Sequence, residues 1–133
     1  MNRLIQGDVG SGKTIVALTA LLTAVDNGTQ AALMVPTEIL AEQHYLNIRP
    51  YCEELGIEVA LVTGTLKGTE RKAIYQNIEV GKTRIIIGTH SLVQKEIQFE
   101  QLGLAVIDEQ HRFGVLQREA IGKKGDHPHL LIM

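Results

Sequence analysis

Tryptophan is missing from this sequence of 133 residues, and the other aromatics are scarce, with two Phe and three Tyr. A core built on packed rings is excluded; the interior must be aliphatic and alanine-rich. Cysteine occurs once, at Cys52. No internal disulfide can form, and a reducing, cytoplasmic setting is expected. Basic charge is not in excess either: the formal net charge is −2. That rules out a domain holding nucleic acid by bulk electrostatics, so any such contact must be local or shared with other parts. Long apolar runs are absent too. The longest, IVALTALLTAV from Ile15 to Val25, is interrupted by threonines and falls short of the ~20 residues a membrane helix needs. It reads as a buried helix. The N-terminus lacks the basic-then-apolar plan of a secretory leader, so none is expected. What remains is 44% apolar and 21% charged residues, the balance of one ordinary packed domain.

Strand and helix signals alternate along the chain. RLIQ is a short apolar run that stops at Gly7, before a glycine-rich turn and a helix over 13–26 that Asn27-Gly28 ends. AALMV is a strand closed by Pro36. A helix follows over 37–56, with Thr37 as a possible N-cap, an interruption expected near Pro50 and a stop at Gly56. Further strands are expected at 57–63, 84–89, 104–108 and 129–133, and helices at 69–80 and about 115–121. The runs at 31–35, 85–87 and 104–107 are continuously apolar rather than alternating. Such strands are covered on both faces, which implies an α/β fold with a mostly parallel sheet between helix layers. The first strand is expected to be central in that sheet. Because both ends of the chain fall at or near strands, the sequence is expected to be a piece of something longer.

GDVGSGKT, Gly7 to Thr14, matches G-x-x-x-x-G-K-[ST] at every fixed position and lies between a strand and a helix. Gly7, Gly10 and Gly12 would let the backbone curl so that its N–H groups, Ser11 included, point at phosphate oxygens. The following helix offers its positive end to the same anion. Lys13 would reach the β- and γ-phosphates, and the Thr14 hydroxyl would bind Mg²⁺. The alternative is a glycine-rich turn ahead of a helix cap; the full motif in its strand–helix setting favours binding of a nucleotide such as ATP.

LAVIDEQHRFG then places Asp108 and Glu109 straight after an apolar strand. Two buried carboxylates without partners would be strongly destabilising, but the carboxyl ends of parallel strands are where ligands bind. Asp108 would hold Mg²⁺, and Glu109 would orient and deprotonate the water that attacks the γ-phosphate. A solvated acidic loop is the bland alternative, and the companion phosphate loop counts against it.

An Asp-Glu-x-His box in a chain with such a loop resembles the superfamily 2 helicases and translocases. Here it reads Asp108-Glu109-Gln110-His111, neither DEAD nor DEAH, and HRFG closes it. With LIQGDVGSGKT, PTEILAEQHY, TGTLKG and GTHSL in order, the chain resembles the RecG family of ATP-dependent DNA helicases over nearly its whole length. Transcription-repair coupling factors have a similar loop and a downstream RFG; Ser11, Glu38 and Gln110 favour RecG. The resemblance implies a RecA-like P-loop NTPase fold and DNA contacts from loops after strands. Thr37, Gly64, Lys67, Thr89 and His90 are the positions implied. Short polar side chains and backbone amides suit phosphate contacts that position a strand. Each has a local alternative: a helix cap for Thr37, a turn for Thr89, a solvated lysine for Lys67. His111 would link the hydrolysis site to the next motif, and Gln110 and Arg112 would serve coupling. His127 and His129 read as a turn, not a metal pair, and Tyr45 and Tyr51 as helix packing.

Two RecA-like lobes with ATP between them, and a wedge domain that engages branched DNA, belong to a complete motor of this kind. Residues 1–133 cover only part of the first lobe, without a SAT motif III, an adenine-recognition segment or a second lobe. The parent is expected to be a DNA helicase that unwinds forks and junctions. The piece alone is expected to bind ATP weakly and hydrolyse it poorly, because arginine fingers from the second lobe contribute ~10³ or more in rate. A stand-alone nucleotide-binding switch is the alternative from another class, but it has no need of strand-contacting loops.

Overall fold

The computed structural model describes residues 2–4, 13–108, 120–121, 123–124 and 128–133, with side chains from Ile15 onward. Strand β1 (Asn2–Leu4) precedes helix α1 (Lys13–Asp26) and β2 (Gln30–Met34). Then come α2 (Glu38–Glu54), β3 (Val59–Val62), α3 (Gly68–Glu79) and β4 (Ile85–Gly88). A 3-10 turn (His90–Val93), β5 (Leu102–Ile107) and β6 (His129–Ile132) complete the described elements.

All six strands form one sheet in the order β1-β6-β5-β2-β4-β3, and every pairing is parallel. Antiparallel pairing, which the sequence left room for, does not occur among the described strands. Among the described strands β1 pairs with β6 alone and stands at the edge of the sheet, where a central place was expected.

Alternate residues of each strand face opposite layers. On one face Ala31, Leu33, Ile85, Ile87, Leu104 and Val106 pack with Ala17 and Leu21 of α1 and Ala41, Ile48 and Cys52 of α2. On the other, Ala32, Met34, Ile86, Ala105 and Ile107 pack with Ile78 of α3, Leu92, Ile97 and Ile121. The core is aliphatic, as the scarcity of aromatics required. Burial of each large aliphatic side chain contributes ~1.5–3 kcal/mol.

Two turns that end helices have the geometry their sequence implied: Gly28 and Gly56 adopt φ of 87° and 72°, the left-handed conformation that glycine enters without a steric penalty. Pro50 departs from expectation. Helix α2 runs through it unbroken. The ring removes one helical N–H, but residue 50 lies on the solvent side while Ala41, Ile48 and Cys52 anchor the opposite side. Water can satisfy the carbonyl left without a donor.

Candidate functional site

The strands end level. Leu4 pairs with Ile132, Ile132 with Ile107, Ile107 with Met34, Met34 with Gly88 and Gly88 with Val62. The next rung continues the ladder: Met133 N–H donates to Ile107 O, Asp108 N–H to Met34 O and Val35 N–H to Gly88 O, each at 2.9 Å. Because all strands run the same way, every loop that follows one leaves from this single border. Open parallel sheets bind ligands at that border.

Asp108 is the first residue past β5 and is buried, with 6% of its surface exposed. Two positions after Val106, it continues the face that α1 and α2 cover. Helix α1 begins at Lys13, after β1. Only β6 separates β1 from β5, so the ends of the two strands are about 10 Å apart. The buried carboxylate and the helix that follows β1 thus belong to the same border of the sheet. That donor set suits a magnesium-bound phosphate: oxygen ligands for the cation, and helix N–H groups for the anion. Gly7, Gly10, Ser11, Gly12, Glu109, Gln110, His111 and Arg112, and the side chains of Lys13 and Thr14, lie outside the described residues, as do His127 and most of the helix expected near 115–121.

The remaining sequence-predicted positions leave the same border. Thr37 follows β2 and caps α2; its hydroxyl oxygen accepts from the Leu40 N–H at 3.2 Å. Gly64 and Lys67 lie in the loop between β3 and α3, and both are exposed. Thr89 follows β4 and is buried, its oxygen 3.4 Å from the Ser91 N–H that it caps; His90 beside it is exposed. The local capping roles are therefore filled at Thr37 and Thr89. A hydroxyl oxygen has two acceptor lone pairs and a proton to donate, so a cap does not preclude contact with a phosphate. Of the tyrosines, Tyr45 packs against the core, with Arg49 Cζ 5.7 Å from its ring centroid. Tyr51 instead is 57% exposed, so the packing role expected for it is not found.

Three residues to which the sequence assigned no chemistry have a bearing on this border. Glu38, the first residue of α2, reaches across it: its Oε1 accepts from the Gly64 N–H at 2.8 Å. His44 of α2 has a buried Nδ1 that no described group hydrogen-bonds. Burial pushes its pKa below the usual value, and the charge of Asp108 pulls it back in part. Lys124 donates to the carbonyls of Gln94 and Ile97, the latter at 2.8 Å. It fastens the segment beyond β5 to the loop after the 3-10 turn. No sequence signal pointed to these contacts, which join positions 26, 27 and 30 residues apart.

One hollow lies elsewhere. A cavity of ≈ 470 Å³, lined by Ala24, Asn27, Thr29, Gln101, Gly103 and His129 among others, opens at the opposite, amino border. It is remote from Asp108 and from the start of α1, and geometry and chemistry favour the carboxyl border as the site.

A family model for DEAD/DEAH box helicases matches residues 1–127. The chain is 54% identical, over 137 aligned residues, to the ATP-dependent DNA helicase RecG of Haemophilus influenzae, covering all of this chain and 20% of that protein. It is 50% identical to the RecG helicase of Aquifex aeolicus, covering all of this chain and 17% of that one. Among solved structures, RecG bound to a three-way DNA junction superposes with a TM-score of 0.83 at 44% identity, over 99% of this chain and 18% of that one. The chain thus spans about a fifth of the length of these relatives.

Proposed function

The chain belongs to the DEAD/DEAH box helicase family, and from that premise we propose that residues 1–133 are part of the first RecA-like lobe of an ATP-dependent DNA helicase. The parent couples ATP hydrolysis to unwinding and branch migration at forks and junctions in the cytoplasm. The relative solved with a three-way DNA junction supports branched DNA as partner. A second motor lobe and a wedge domain complete the machine in cis.

One observation carries this reading. The six parallel strands end level, so the nucleotide-binding and strand-binding loops share one rigid border. Mg²⁺, when bound with ATP, supplies charge neutralisation between the β- and γ-phosphates. Thr14 and Asp108 would hold it. Lys13 and the amides of Gly7, Gly10, Ser11 and Gly12 bind phosphate oxygens. Glu109 holds the attacking water and accepts its proton. His111 relays the state of that site to the following motif. Thr37, Gly64, Lys67, Thr89 and His90 hold phosphates of the DNA strand. A strand held on these three loops is sensitive to any shift at Asp108, because the same sheet supports all of them.

The test is ATP turnover by the full-length protein that carries this chain, with and without three-way junction DNA. Junction DNA is expected to stimulate hydrolysis, and Lys13→Ala to abolish it. The 133-residue chain alone is expected to turn over ~10³-fold more slowly, lacking the second lobe's arginine fingers. Indifference of the full-length protein to DNA, or robust DNA-stimulated turnover by the chain alone, would overturn the reading.

A further inference from the structure

We propose that Glu38 is a positioning residue that sets the spacing between two strand-binding loops, clamping the loop after β3 to the first turn of α2. This rests on the DNA-contact reading above and deepens it. The Glu38 carboxylate sits at the start of α2, next to Thr37. Its Oε1 accepts from the Gly64 N–H at 2.8 Å. A Cβ at Gly64 would lie 3.1 Å from that same oxygen, so glycine is what lets the carboxylate come this close.

The loop it holds is already stiff. The hydroxyls of Thr63 and Thr65 are 2.8 Å apart and share a hydrogen bond. The Leu66 N–H donates to Thr63 O at 3.3 Å, and Thr63 is buried at the end of β3. A stiff loop with a tether to the neighbouring loop moves as one body with α2. The distance between Thr37 and the pair Gly64 and Lys67 is then fixed before DNA arrives, and preorganisation of this kind lowers the entropy lost on binding.

Electrostatics gives the inference a sign that can fail. Glu38 is an exposed carboxylate on a border meant for phosphates. If its charge were all that mattered, removing it would tighten DNA binding. If it acts as a clamp, removing it weakens binding despite the lost repulsion. An ordinary acidic residue in a first helical turn serves the helix end; it has no need to reach an amide 26 residues away.

The experiment uses the full-length protein and three-way junction DNA as probe, reading the DNA concentration at half-maximal ATPase stimulation and the rate at saturation. Glu38→Ala is expected to raise the half-point on the order of ten-fold, as loss of a charge-assisted hydrogen bond allows, with the saturated rate unchanged. Glu38→Gln keeps an oxygen acceptor and is expected to stay within about two-fold of wild type. Glu38→Asp keeps the charge but is one methylene shorter, which draws the carboxylate back from the Gly64 amide, and is expected to behave like Glu38→Ala. Hydrogen exchange across residues 63–67 should quicken in both weakened variants.

Thr37→Ala separates the two layers. If neither Thr37→Ala nor Lys67→Ala moves the half-point, the DNA-contact reading itself fails. If those variants weaken binding while Glu38→Ala leaves it unchanged or tightens it, the clamp is wrong and the contact reading stands. Should Glu38→Ala not fold, Glu38→Asp against Glu38→Gln decides: a half-point equal to wild type in Glu38→Asp overturns the clamp.

Discussion

The two borders of the sheet use similar polar residues to different ends. At the amino border, Gln30 is wholly buried, and its side chain donates to Ile78 O and Thr83 O, each at 2.8 Å, and accepts from the Gln101 N–H at 3.0 Å. The Thr83 hydroxyl donates to Glu58 Oε2 at 2.7 Å, and that of Thr29 to Ala24 O at 2.9 Å. These groups are satisfied inside the protein and stitch three connections together. At the carboxyl border, Thr37 and Thr89 serve caps within their own loops, Lys67 and His90 face solvent, and Asp108 is buried at the end of β5. A polar residue with all its capacity spent internally supports the fold. One that faces solvent, as Lys67 and His90 do, on a border where loops converge, is available to a ligand.

That contrast can be broken by mutation. The largest effect is expected from Glu109→Gln in the full-length protein: ATP turnover should fall about 10²–10⁴-fold, the share of a general base, with the thermal midpoint unchanged. A large loss of stability instead would make the carboxyl border structural too. Next comes Gln30→Leu, which strands two carbonyls and one N–H in the core. Urea unfolding should register a loss of about 3–5 kcal/mol, and under 1 kcal/mol would refute the support role. Gly103→Ala sharpens the same border. Its Cβ would meet Thr29 Oγ1 at 2.3 Å, for an expected loss of about 1–3 kcal/mol that Thr29→Ala should relieve in a double-mutant cycle.

A smaller change, about 1 kcal/mol by unfolding, is expected from Thr37→Ala as a lost helix cap, with Thr37→Ser near wild type. Smallest is a pH effect at His44. Its folded pKa lies below the usual ~6.5 because it is buried. Between those two values the unfolded chain holds more protons, so stability climbs with pH there and is complete above the upper one. Acidification from pH 7 to pH 5 should lower the thermal midpoint, and His44→Gln should flatten the slope. An unchanged slope in that variant would assign the acid lability elsewhere.

Much of the layer structure was legible in the residues, and for physical reasons. Strands β2, β4 and β5 are buried on both faces, which leaves continuous apolar runs such as Ile85-Ile86-Ile87. The helix stops at Gly28 and Gly56 follow from backbone sterics that need no tertiary context. What could not be read is long-range. Nothing local says that β4 inserts between β2 and β3, or that β1 borders β6 rather than sitting in the middle. The bonds of Gln30 reach 48, 53 and 71 residues along the chain, so a buried glutamine in an apolar strand looked like any other residue. Pro50 was taken to interrupt its helix because local sterics say so; burial of Ala41, Ile48 and Cys52 on the other side outweighs them. The 3-10 turn at His90–Val93 is too short to show a period. In the site, the motif residues were visible by type and spacing, whereas the tether from Glu38 to Gly64 is set only by the docking of α2 beside β3.

The pairing of β1 has a consequence for biogenesis. Among the described strands, β1 touches the sheet through β6 alone, with Asn2 opposite Leu130. The four strands β5, β2, β4 and β3 can assemble as soon as residue 107 has left the ribosome. Strand β1 must then await a docking place synthesised far later, across a loop closure of large entropy. The strand made first is then seated last, and a nascent chain stalled before residue 129 would be folded over β2 to β5 while β1 still lacks its described partner. Limited proteolysis of such stalled chains, with residues 1–12 cut freely and 30–107 protected, would register that order.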